Sequence, residues 1–276
     1  MRGPGKMDES NMDAMLETAI EAARLAGKEA LKTQGNIKIS VKNNNEIVTN
    51  ADSRCQQIII EKISSNFPGH GFIAEEGIKG KIFKQKPKNS EKIWWVIDPI
   101  DGTNNFANQM PFFSVSIAAM KDGYPIVGVV YEPANNSMFC ATKDGPAMLN
   151  GKKIESKDEP LGQFSSVALD SYFDKQVAAW ANKIMQITKF RNFGSTAMHI
   201  AYTAKGSLAA SIFSHSKLWD IAAGALIAES AGAIVSDWNG RPVFPVNLDN
   251  YNGEKFKVVA ANKTAHLQII KLINSG

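Results

Sequence analysis

The stretch from Trp94 to Phe106, WWVIDPIDGTNNF, constrains the fold more than any other part of the sequence. Its bulky apolar start predicts a buried strand, and that strand runs directly into two aspartates, Asp98 and Asp101. Two carboxylates so near a core cannot both stay ionised cheaply unless a cation compensates their charge. Asp-Pro and Asp-Gly are also ordinary turn dipeptides, so the motif in isolation favours a plain turn.

Two further acidic positions lie where predicted elements end or begin. Glu75 follows the apolar strand of GFIAEEG, and Asp220 opens the small-residue helix of KLWDIAAGALIAESAGA. Taken singly, Glu75 would be a solvated turn residue and Asp220 a favourable charge at a helix N-terminus. Together with Asp98 and Asp101 they form a set of hard oxygen ligands without His or Cys. Such a set favours Mg²⁺, or Mn²⁺ as its substitute, over Zn²⁺.

Small and hydroxyl-bearing residues near these acids indicate an anion site. Gly102 permits close approach of the backbone, and Thr103 adds a hydroxyl and an amide. In NFGSTAMHIAYTAKG, the residues Gly194, Ser195 and Thr196 open an apolar helix and are expected to present unsatisfied amides to a phosphate. A plain helix cap explains these three residues equally well.

Asp52, in IVTNADSRC, has two interpretations. It precedes a predicted helix and would be its N-cap. Alternatively, its carboxylate polarises Thr103 and thereby orients a water molecule. The residues alone leave this choice open.

The composition argues against several classes of protein. The 276 residues are 44% hydrophobic, enough for one large domain or two packed halves. The net charge of +4 is spread without a long basic run, so no nucleic-acid partner is expected. Cys55 and Cys140 lack the spacing of metal sites or disulfide frameworks, which fits a reducing compartment. No stretch is long and apolar enough for a bilayer and MRGPGKMDESN lacks the apolar core of a signal peptide, so we expect a cytoplasmic protein without a membrane partner.

Hydrophobic spacing predicts a first half, residues 1–150, in which helices precede a sheet. An amphipathic helix capped by Ser10 runs to Gly35, and a second helix runs from about Ser53 to Asn66. The polar, lysine-rich segment 79–91 is expected to be a mobile surface loop, with a lid over a site as the alternative. Five strands are predicted, at 72–74, 94–97, 114–120, 126–131 and 138–141. The last three are expected to form an antiparallel meander.

A stretch at 145–160 that is rich in Gly, Lys, Asp and Pro is expected to separate this half from the second, residues 151–276. In the second half strands and helices alternate, and the two halves are expected to form one structural unit with layered α+β and α/β packing. The predicted strands are 167–169, 190–193, 208–213, 233–235 and 258–261, and the predicted helices are 174–186, one opening at Ser195 or Thr196, 219–231 and one at the end of the chain.

Three segments, in this order and at these separations, resemble the signatures of the inositol monophosphatase family: GFIAEEG, WVIDPIDGTNNF and LWDIAAGALIAESAGA. The segments FFSVSIAAMKDGYPIVGVVYEP and FRNFGSTAMHIAYTAKG also resemble the family, so the likeness covers roughly 51–261. The resemblance implies an αβαβα sandwich of the inositol monophosphatase and fructose-1,6-bisphosphatase type. It also implies a Mg²⁺-dependent phosphomonoesterase that is usually a homodimer and often lithium-sensitive.

The resemblance further implies a role for each matching residue. Glu75, Asp98 and the Ile100 carbonyl would hold one metal ion, and Asp98, Asp101 and Asp220 a second, with a weaker third ion near Glu75. Thr103 and Asp52 would orient the water that attacks phosphorus directly, without a covalent enzyme intermediate, so Asp52, Thr103 and Glu75 are the expected catalytic residues. The expected substrate-binding set is Ile100, Asp101, Gly102, Thr103, Gly194, Ser195, Thr196 and Asp220.

The sequence departs from the animal inositol-specific pattern at two positions. Where those enzymes carry a glutamate that binds substrate hydroxyls, this chain has Phe213, and where they carry a histidine it has Lys217. Lys217 would meet a second anionic group or, more simply, remain a solvated surface residue.

These departures weaken the expectation of inositol specificity. From the resemblance, inositol monophosphate is still the leading expected substrate, within the class of small phosphorylated polyols or sugars. The alternatives within the superfamily are fructose 1,6-bisphosphate, histidinol phosphate and 3′-phosphoadenosine 5′-phosphate. The non-enzymatic alternative is a binding or regulatory protein that retains the fold and binds a phosphate ligand or a transcription partner.

Overall fold

The computed structural model describes residues 8–41, 47–172 and 175–275. Two sequence predictions fall partly outside these ranges. Residues 1–7 include most of the N-terminal segment that lacks the apolar core of a signal peptide, and residue 174 is the predicted start of a helix. A short 3₁₀ helix spans Ile78–Gly80. The α-helices are α1 (Glu9–Thr33), α2 (Asn50–Asn66), α3 (Thr103–Ala107), α4 (Lys175–Ile187), α5 (Thr196–Ala204), α6 (Leu218–Ser230) and α7 (Lys263–Asn274).

The strands of the described residues form three sheets. A two-stranded sheet contains β1 (Ile39–Val41) and β2 (Ile47–Thr49). An eight-stranded sheet has the order β10-β9-β8-β7-β6-β5-β3-β4, with strands β3 (Gly71–Ala74), β4 (Phe83–Gln85), β5 (Trp94–Asp101), β6 (Ser114–Lys121), β7 (Tyr124–Glu132), β8 (Ser137–Thr142), β9 (Met148–Leu149) and β10 (Lys152–Lys153). A five-stranded sheet has the order β12-β11-β13-β15-β14, with strands β11 (Ser166–Leu169), β12 (Lys189–Arg191), β13 (Ala210–Ser216), β14 (Ile234–Ser236) and β15 (Phe256–Ala261).

The elements stack in five layers, which confirms the predicted αβαβα sandwich. Helices α1 and α2 cover one face of the eight-stranded sheet, and α5 and α6 lie between its other face and the five-stranded sheet. Helices α4 and α7 cover the outer face of the five-stranded sheet. Three hydrophobic clusters fill the spaces between layers, as expected when each helix and sheet face must bury its apolar side against a neighbour.

Strand β5 is buried on both faces, and its side chains alternate between two of these clusters. Trp95 and Ile97 point towards α1 and α2, whereas Trp94 and Val96 point towards α5 and α6. The predicted meander is also present, because β6, β7 and β8 pair antiparallel in sequence order. The apolar run WWVI therefore lies at the centre of the molecule and ends at the two aspartates.

The structure differs from the sequence expectations at the start of both N-terminal helices. Asp8, not Ser10, caps α1, because the Asp8 carboxylate accepts from the Ser10 amide at 3.3 Å. The second helix begins three residues earlier than predicted, with Thr49 as its cap and Asp52 inside its first turn. In both cases the sequence offers adjacent capping residues, and only the backbone conformation selects between them.

The segment predicted as a loop at 79–91 contains the edge strand β4, which pairs antiparallel with β3. The Lys84 ammonium ties this strand to the second half of the chain by donating to the carbonyls of Asp249 (2.9 Å) and Tyr251 (2.7 Å). Alternating lysines made the segment look like a solvated loop, although exposed lysines are also typical of sheet edges. No helix in the described ranges has the length and apolarity required to cross a bilayer.

The contact between β7 and α6 requires a glycine, which yields a stability prediction. A Cβ atom added at Gly128 would lie 2.7 Å from the Ala223 carbonyl oxygen and 3.2 Å from its Cα. We expect Gly128→Ala to lower the free energy of unfolding by about 1–3 kcal/mol, because the clash is with backbone that cannot rotate away. Urea denaturation measures this change.

The matched control is Gly162→Ala, since an added Cβ there meets no described atom within 4 Å, and its effect should stay within about 0.5 kcal/mol. Equal stabilities of the two variants would contradict the prediction.

Candidate active site

A β-bulge at the end of β5 brings Asp98 and Asp101 to the same side of the sheet. Asp98 is opposite Ser116 and Asp101 is opposite Ser114, so β5 advances three residues while β6 advances two. In a regular strand, residues three apart point to opposite faces, and one extra residue restores them to a common face. Pro99 lies within the bulge, where the missing amide costs no ladder hydrogen bond.

Asp220 completes a cluster with these two aspartates. Oxygen atoms of Asp98, Asp101 and Asp220 lie within 4.8 Å of one another; the first two residues are buried and the third is half-buried. Asp220 lies in the first turn of α6, where its carboxylate accepts from the Lys217 amide at 2.7 Å. Three of the four predicted acidic ligands, which come from two distant parts of the sequence, are therefore adjacent in space.

Glu75 lines the same cavity, which has a volume of about 240 Å³, but it is not part of the three-aspartate cluster. It directly follows β3, and the adjacent residue Glu76 is fixed by Gln56 of α2. The Gln56 side chain donates to the Glu76 carbonyl at 2.6 Å and accepts from its amide at 2.9 Å. Helix α2 thus positions the start of the loop that carries Glu75.

The N-terminus of α5 binds an anion, but that anion is Asp101. The Asp101 carboxylate accepts from the Ser195 hydroxyl (2.6 Å), the Ala197 amide (2.6 Å) and the Thr196 amide (3.3 Å). The Thr196 amide is therefore not unsatisfied, and the Gly194 amide donates to the Asn192 side chain at 2.8 Å. Contact of Gly194, Ser195 and Thr196 with a phosphate stays a prediction. The donors to Asp101 hold a metal-ligand candidate, and Ser195 is also the N-cap through the Met198 amide at 3.3 Å.

Asp52 is connected both to the cap of α2 and to Thr103. One carboxylate oxygen accepts from the Thr49 amide (2.8 Å) and hydroxyl (2.5 Å), while the other accepts from the Thr103 hydroxyl at 3.2 Å. The N-cap of α2 is Thr49, so the interpretation of Asp52 as the N-cap is wrong. The Thr103 hydroxyl also lies 3.0 Å from the Ile100 carbonyl, so its single proton is shared between two acceptors.

Gly102 and Gly194 meet where α3 and α5 begin, and neither position tolerates a side chain. Gly102 has a φ of +99°, and a Cβ there would lie 2.9 Å from the Phe112 carbonyl oxygen. A Cβ at Gly194, whose φ is +71°, would lie 2.6 Å from the Asn105 side chain. Asn105 in turn donates to the Phe112 carbonyl (2.7 Å) and the Phe193 carbonyl (2.6 Å). These contacts fix the Asp101–Thr103 turn against the loop that precedes α5.

Burial and mutual repulsion raise the pKa values of the clustered aspartates. The pKa of Asp98 lies well above the usual value because of desolvation first, followed by the charges of Glu75, Asp101 and Asp220. Desolvation also raises the pKa of Asp220 well above normal, and the Asp101 charge adds to it. The pKa of Asp101 rises to about 6, since burial outweighs the donors from α5. An oxygen-only set of this kind fits Mg²⁺, whose charge would remove the repulsion.

The cavity is also lined by residues that the sequence reasoning missed. Asp170 and Tyr172 follow the end of β11, and His215 and Ser216 are the last residues of β13. The signal available in the sequence was the position of these polar residues directly after two predicted strands, since ligand sites of α/β sheets gather at strand ends.

The two positions that depart from the animal pattern are both engaged within the protein. Phe213 lies in the core, where its ring stacks on His199 with the centroids 5.8 Å apart, and it does not line the cavity. Lys217 lines the cavity, but its ammonium donates to the Gly253 carbonyl. The expectation of a solvated surface side chain does not describe this arrangement, whereas contact of Lys217 with a second anionic group stays a prediction.

Comparison with known proteins agrees with this geometry. The inositol monophosphatase family model matches residues 11–275, so the chain belongs to this family of phosphatase-type hydrolases. Nus factor SuhB of Pasteurella multocida is 37% identical over 240 residues, covering 83% of this chain and 87% of that protein. Inositol-1-monophosphatase of Mesorhizobium japonicum is 29% identical over 269 residues, covering 94% of this chain and 96% of that protein.

Solved structures show the same fold over the whole chain. The extragenic suppressor protein suhB of Bartonella henselae superposes with a TM-score of 0.85 at 26% identity, covering 97% of this chain and 100% of that chain. The Thermotoga maritima IMPase superposes with a TM-score of 0.82 at 29% identity, covering 95% of this chain and 97% of that chain. The family resemblance inferred from sequence is confirmed.

The raised pKa values predict how Mg²⁺ stabilises the protein at different pH. Without metal, the folded chain keeps protons that the unfolded chain has released, so its stability falls as pH rises from the usual Asp pKa of 3.8 to the Asp101 value of about 6. Mg²⁺ needs the deprotonated carboxylates, so its stabilisation should be larger at about pH 7.5 than at about pH 5. It should reach about 2.7 kcal/mol when free Mg²⁺ exceeds its Kd about 100-fold.

Thermal unfolding with Mg²⁺ or with EDTA, at matched ionic strength, measures this difference at both pH values. An equal shift of Tm at the two pH values would show that the aspartate cluster is not where Mg²⁺ binds.

Proposed function

We propose that the protein catalyses Mg²⁺-dependent hydrolysis of a phosphate monoester, with inositol monophosphate as the first substrate to test. The observation that carries the proposal is the convergence of Asp98, Asp101 and Asp220 in one cavity that is also lined by Glu75 and Thr103. Among the described residues, no Lys, Arg or His side chain forms an ion pair with these aspartates. Such a buried acidic cluster is costly for folding, and a divalent ion that binds a phosphate dianion would compensate its charge.

The expected metal ligands form two sets that share Asp98. Glu75, Asp98 and the Ile100 carbonyl would hold one ion, Asp98, Asp101 and Asp220 would hold a second, and a weaker third ion would bind near Glu75. Bound Mg²⁺ supplies positive charge to the phosphate oxygens and lowers the pKa of a coordinated water. Asp98 accepts from the Ile100 amide at 3.0 Å, which orients both the carboxylate and the peptide that carries the Ile100 carbonyl.

Thr103 and Asp52 are the residues that would orient the attacking water. The Thr103 hydroxyl donates towards the Asp52 carboxylate, so its lone pairs are available to a water on the cavity side. Asp52 is held by Thr49 and cannot rotate away from Thr103 without breaking the cap of α2. Gly102 lines the same cavity, and no side chain of the cavity is required as a nucleophile.

Replacing Asp101 tests the proposal directly. We expect Asp101→Asn to lower Mg²⁺-dependent phosphatase activity by more than the roughly 10–100-fold that loss of an outer metal-site partner costs. The amide still offers one oxygen to the donors of α5, so the fold should be retained, as judged by circular dichroism and Tm. The matched control is Glu132→Gln, a buried carboxylate outside the cavity that contacts Tyr202 and Asn135. Near-normal turnover of a folded Asp101→Asn protein would contradict the assignment.

The choice of substrate is tested by comparing kcat/KM for inositol 1-phosphate, fructose 1,6-bisphosphate, histidinol phosphate and 3′-phosphoadenosine 5′-phosphate, each with Mg²⁺ and with EDTA. The proposal includes a cytoplasmic homodimer and inhibition by lithium, as the family resemblance implies. Light scattering coupled to size exclusion tests the first, and activity in graded LiCl against NaCl tests the second.

A second candidate function is a regulatory role in transcription, which the similarity to proteins named Nus factor SuhB favours. Nus factor SuhB of Vibrio cholerae is 36% identical over 242 residues, a closer match than the enzyme from Mesorhizobium japonicum. Co-purification of the chain with the transcription machinery of its own cell would support this role. If Asp101→Asn abolished hydrolysis but left that association intact, the two functions would reside in separate features of the protein.

A further inference from the structure

A hydrogen-bonded chain of three side chains lies at the cavity that contains the aspartates. The Ser214 hydroxyl is 2.9 Å from Asp170 Oδ2 and 2.7 Å from His215 Nδ1. Asp170 also accepts from the Ser214 amide at 2.6 Å and from the Tyr172 amide at 3.2 Å. The chain Asp170–Ser214–His215 thus connects the ends of β11 and β13, and His215 and Asp170 both line the cavity that contains the aspartates.

The proton count of this chain fixes which histidine nitrogen faces the ligand. The Ser214 hydroxyl has one proton, and the Asp170 carboxylate can only accept, so that proton belongs to the bond with Asp170. His215 Nδ1 must then carry a proton and donate it to the serine oxygen; the reverse would place two acceptors in contact. In the neutral imidazole the other nitrogen, Nε2, is consequently an acceptor.

The ring of His215 is held in place, while Nε2 is left available. Tyr172 stacks on the imidazole with ring centroids 4.6 Å apart, and the Lys255 ammonium lies 5.7 Å from the centroid of the Tyr172 ring. Within the described ranges, no group forms a hydrogen bond with Nε2. By contrast, the Lys217 ammonium can only donate, and Asp170 already accepts from three donors. The Ser216 hydroxyl also has no described partner, but it is buried, whereas His215 is half-buried and lines the cavity. Nε2 of His215 is therefore the oriented acceptor that a ligand in the cavity can reach.

On this basis we propose that His215 recognises the leaving group of the substrate by accepting a hydrogen bond at Nε2 from one of its hydroxyls. The inference rests on the phosphomonoesterase function proposed above and selects a substrate class, a phosphorylated polyol or sugar with a free hydroxyl near the ester. Phe213 of the same strand is buried in the core, and His215, two residues further along β13, lines the cavity. Asp170 and Ser214 are positioning residues that act through His215.

The kinetic test compares two esters in the wild type and in His215→Phe, which keeps a ring against Tyr172 but removes both nitrogens. Inositol 1-phosphate has hydroxyls on its leaving group, and phenyl phosphate has none. Loss of the acceptor should lower the ratio of kcat/KM for inositol 1-phosphate to kcat/KM for phenyl phosphate about ten-fold, mainly through KM, because a substrate hydroxyl is left unpaired. A ratio within about two-fold of the wild-type value would overturn the proposal.

Ser214→Ala tests the positioning role, since it frees the imidazole without removing it. The ratio should fall in the same direction but by less than in His215→Phe, and Ser207→Ala, at an exposed serine outside this cavity, is the matched control. A ratio unchanged in Ser214→Ala but lowered in His215→Phe would overturn the role of the Asp170–Ser214 chain.

Nitrogen NMR of the protein labelled with ¹⁵N-histidine gives a readout that does not depend on turnover. The ligand-free protein should show a protonated Nδ1 and an unprotonated Nε2 for His215. With Mg²⁺ and inorganic phosphate present, the Nε2 resonance should move when myo-inositol is added. A resonance that does not respond to myo-inositol would overturn the proposal. If instead the wild type hydrolysed neither ester yet Nε2 responded to myo-inositol, the proposed hydrolysis would fail while the recognition by His215 stood.

Discussion

The repulsion among three desolvated carboxylates is the constraint on which the rest of the structure depends. Asp98, Asp101 and Asp220 would separate or remain protonated unless the surrounding backbone held them together. Strand β5 supplies rigidity to the first two, because both of its faces are buried in different cores. The free energy gained by burying WWVI therefore keeps the aspartates in an arrangement that their charges oppose. A bound cation would compensate this repulsion.

Two serines of β6 extend this support to the helices. Ser114 lies opposite Asp101, and its hydroxyl is 3.2 Å from that of Ser195, the N-cap of α5. Ser116 lies opposite Asp98, and its hydroxyl donates to the Trp219 carbonyl in the first turn of α6 at 2.8 Å. Each aspartate of the bulge thus has a neighbour that fixes one helix N-terminus. Since α5 holds Asp101 and α6 carries Asp220, the relative position of the three carboxylates is set by contacts between layers.

The fold was largely predictable from sequence because its signals are local, whereas the geometry of the site depends on contacts between distant segments. Apolar runs, turn dipeptides and helical spacing located β5, the meander and α6 correctly. The bulge at Pro99 was not predicted, because an extra residue in one strand is visible only once its partner strand is known. For the same reason the donors of α5 were assigned to a phosphate: nothing near Ser195 in sequence reveals that Asp101 lies 2.6 Å away.

The two sides of the cavity impose different demands on substitution. On the aspartate side, loss of one carboxylate would leave the others with an altered charge balance, so the whole set is constrained together. On the opposite side, Phe213 is packed in the core and the polar atoms come from Asp170, Ser214 and His215, which form a unit of their own. This wall can change its hydrogen-bonding groups without disturbing the metal ligands. Under the proposed function, the metal ligands would act on the phosphate, and the ends of β11 and β13 would contact the leaving group through His215 Nε2.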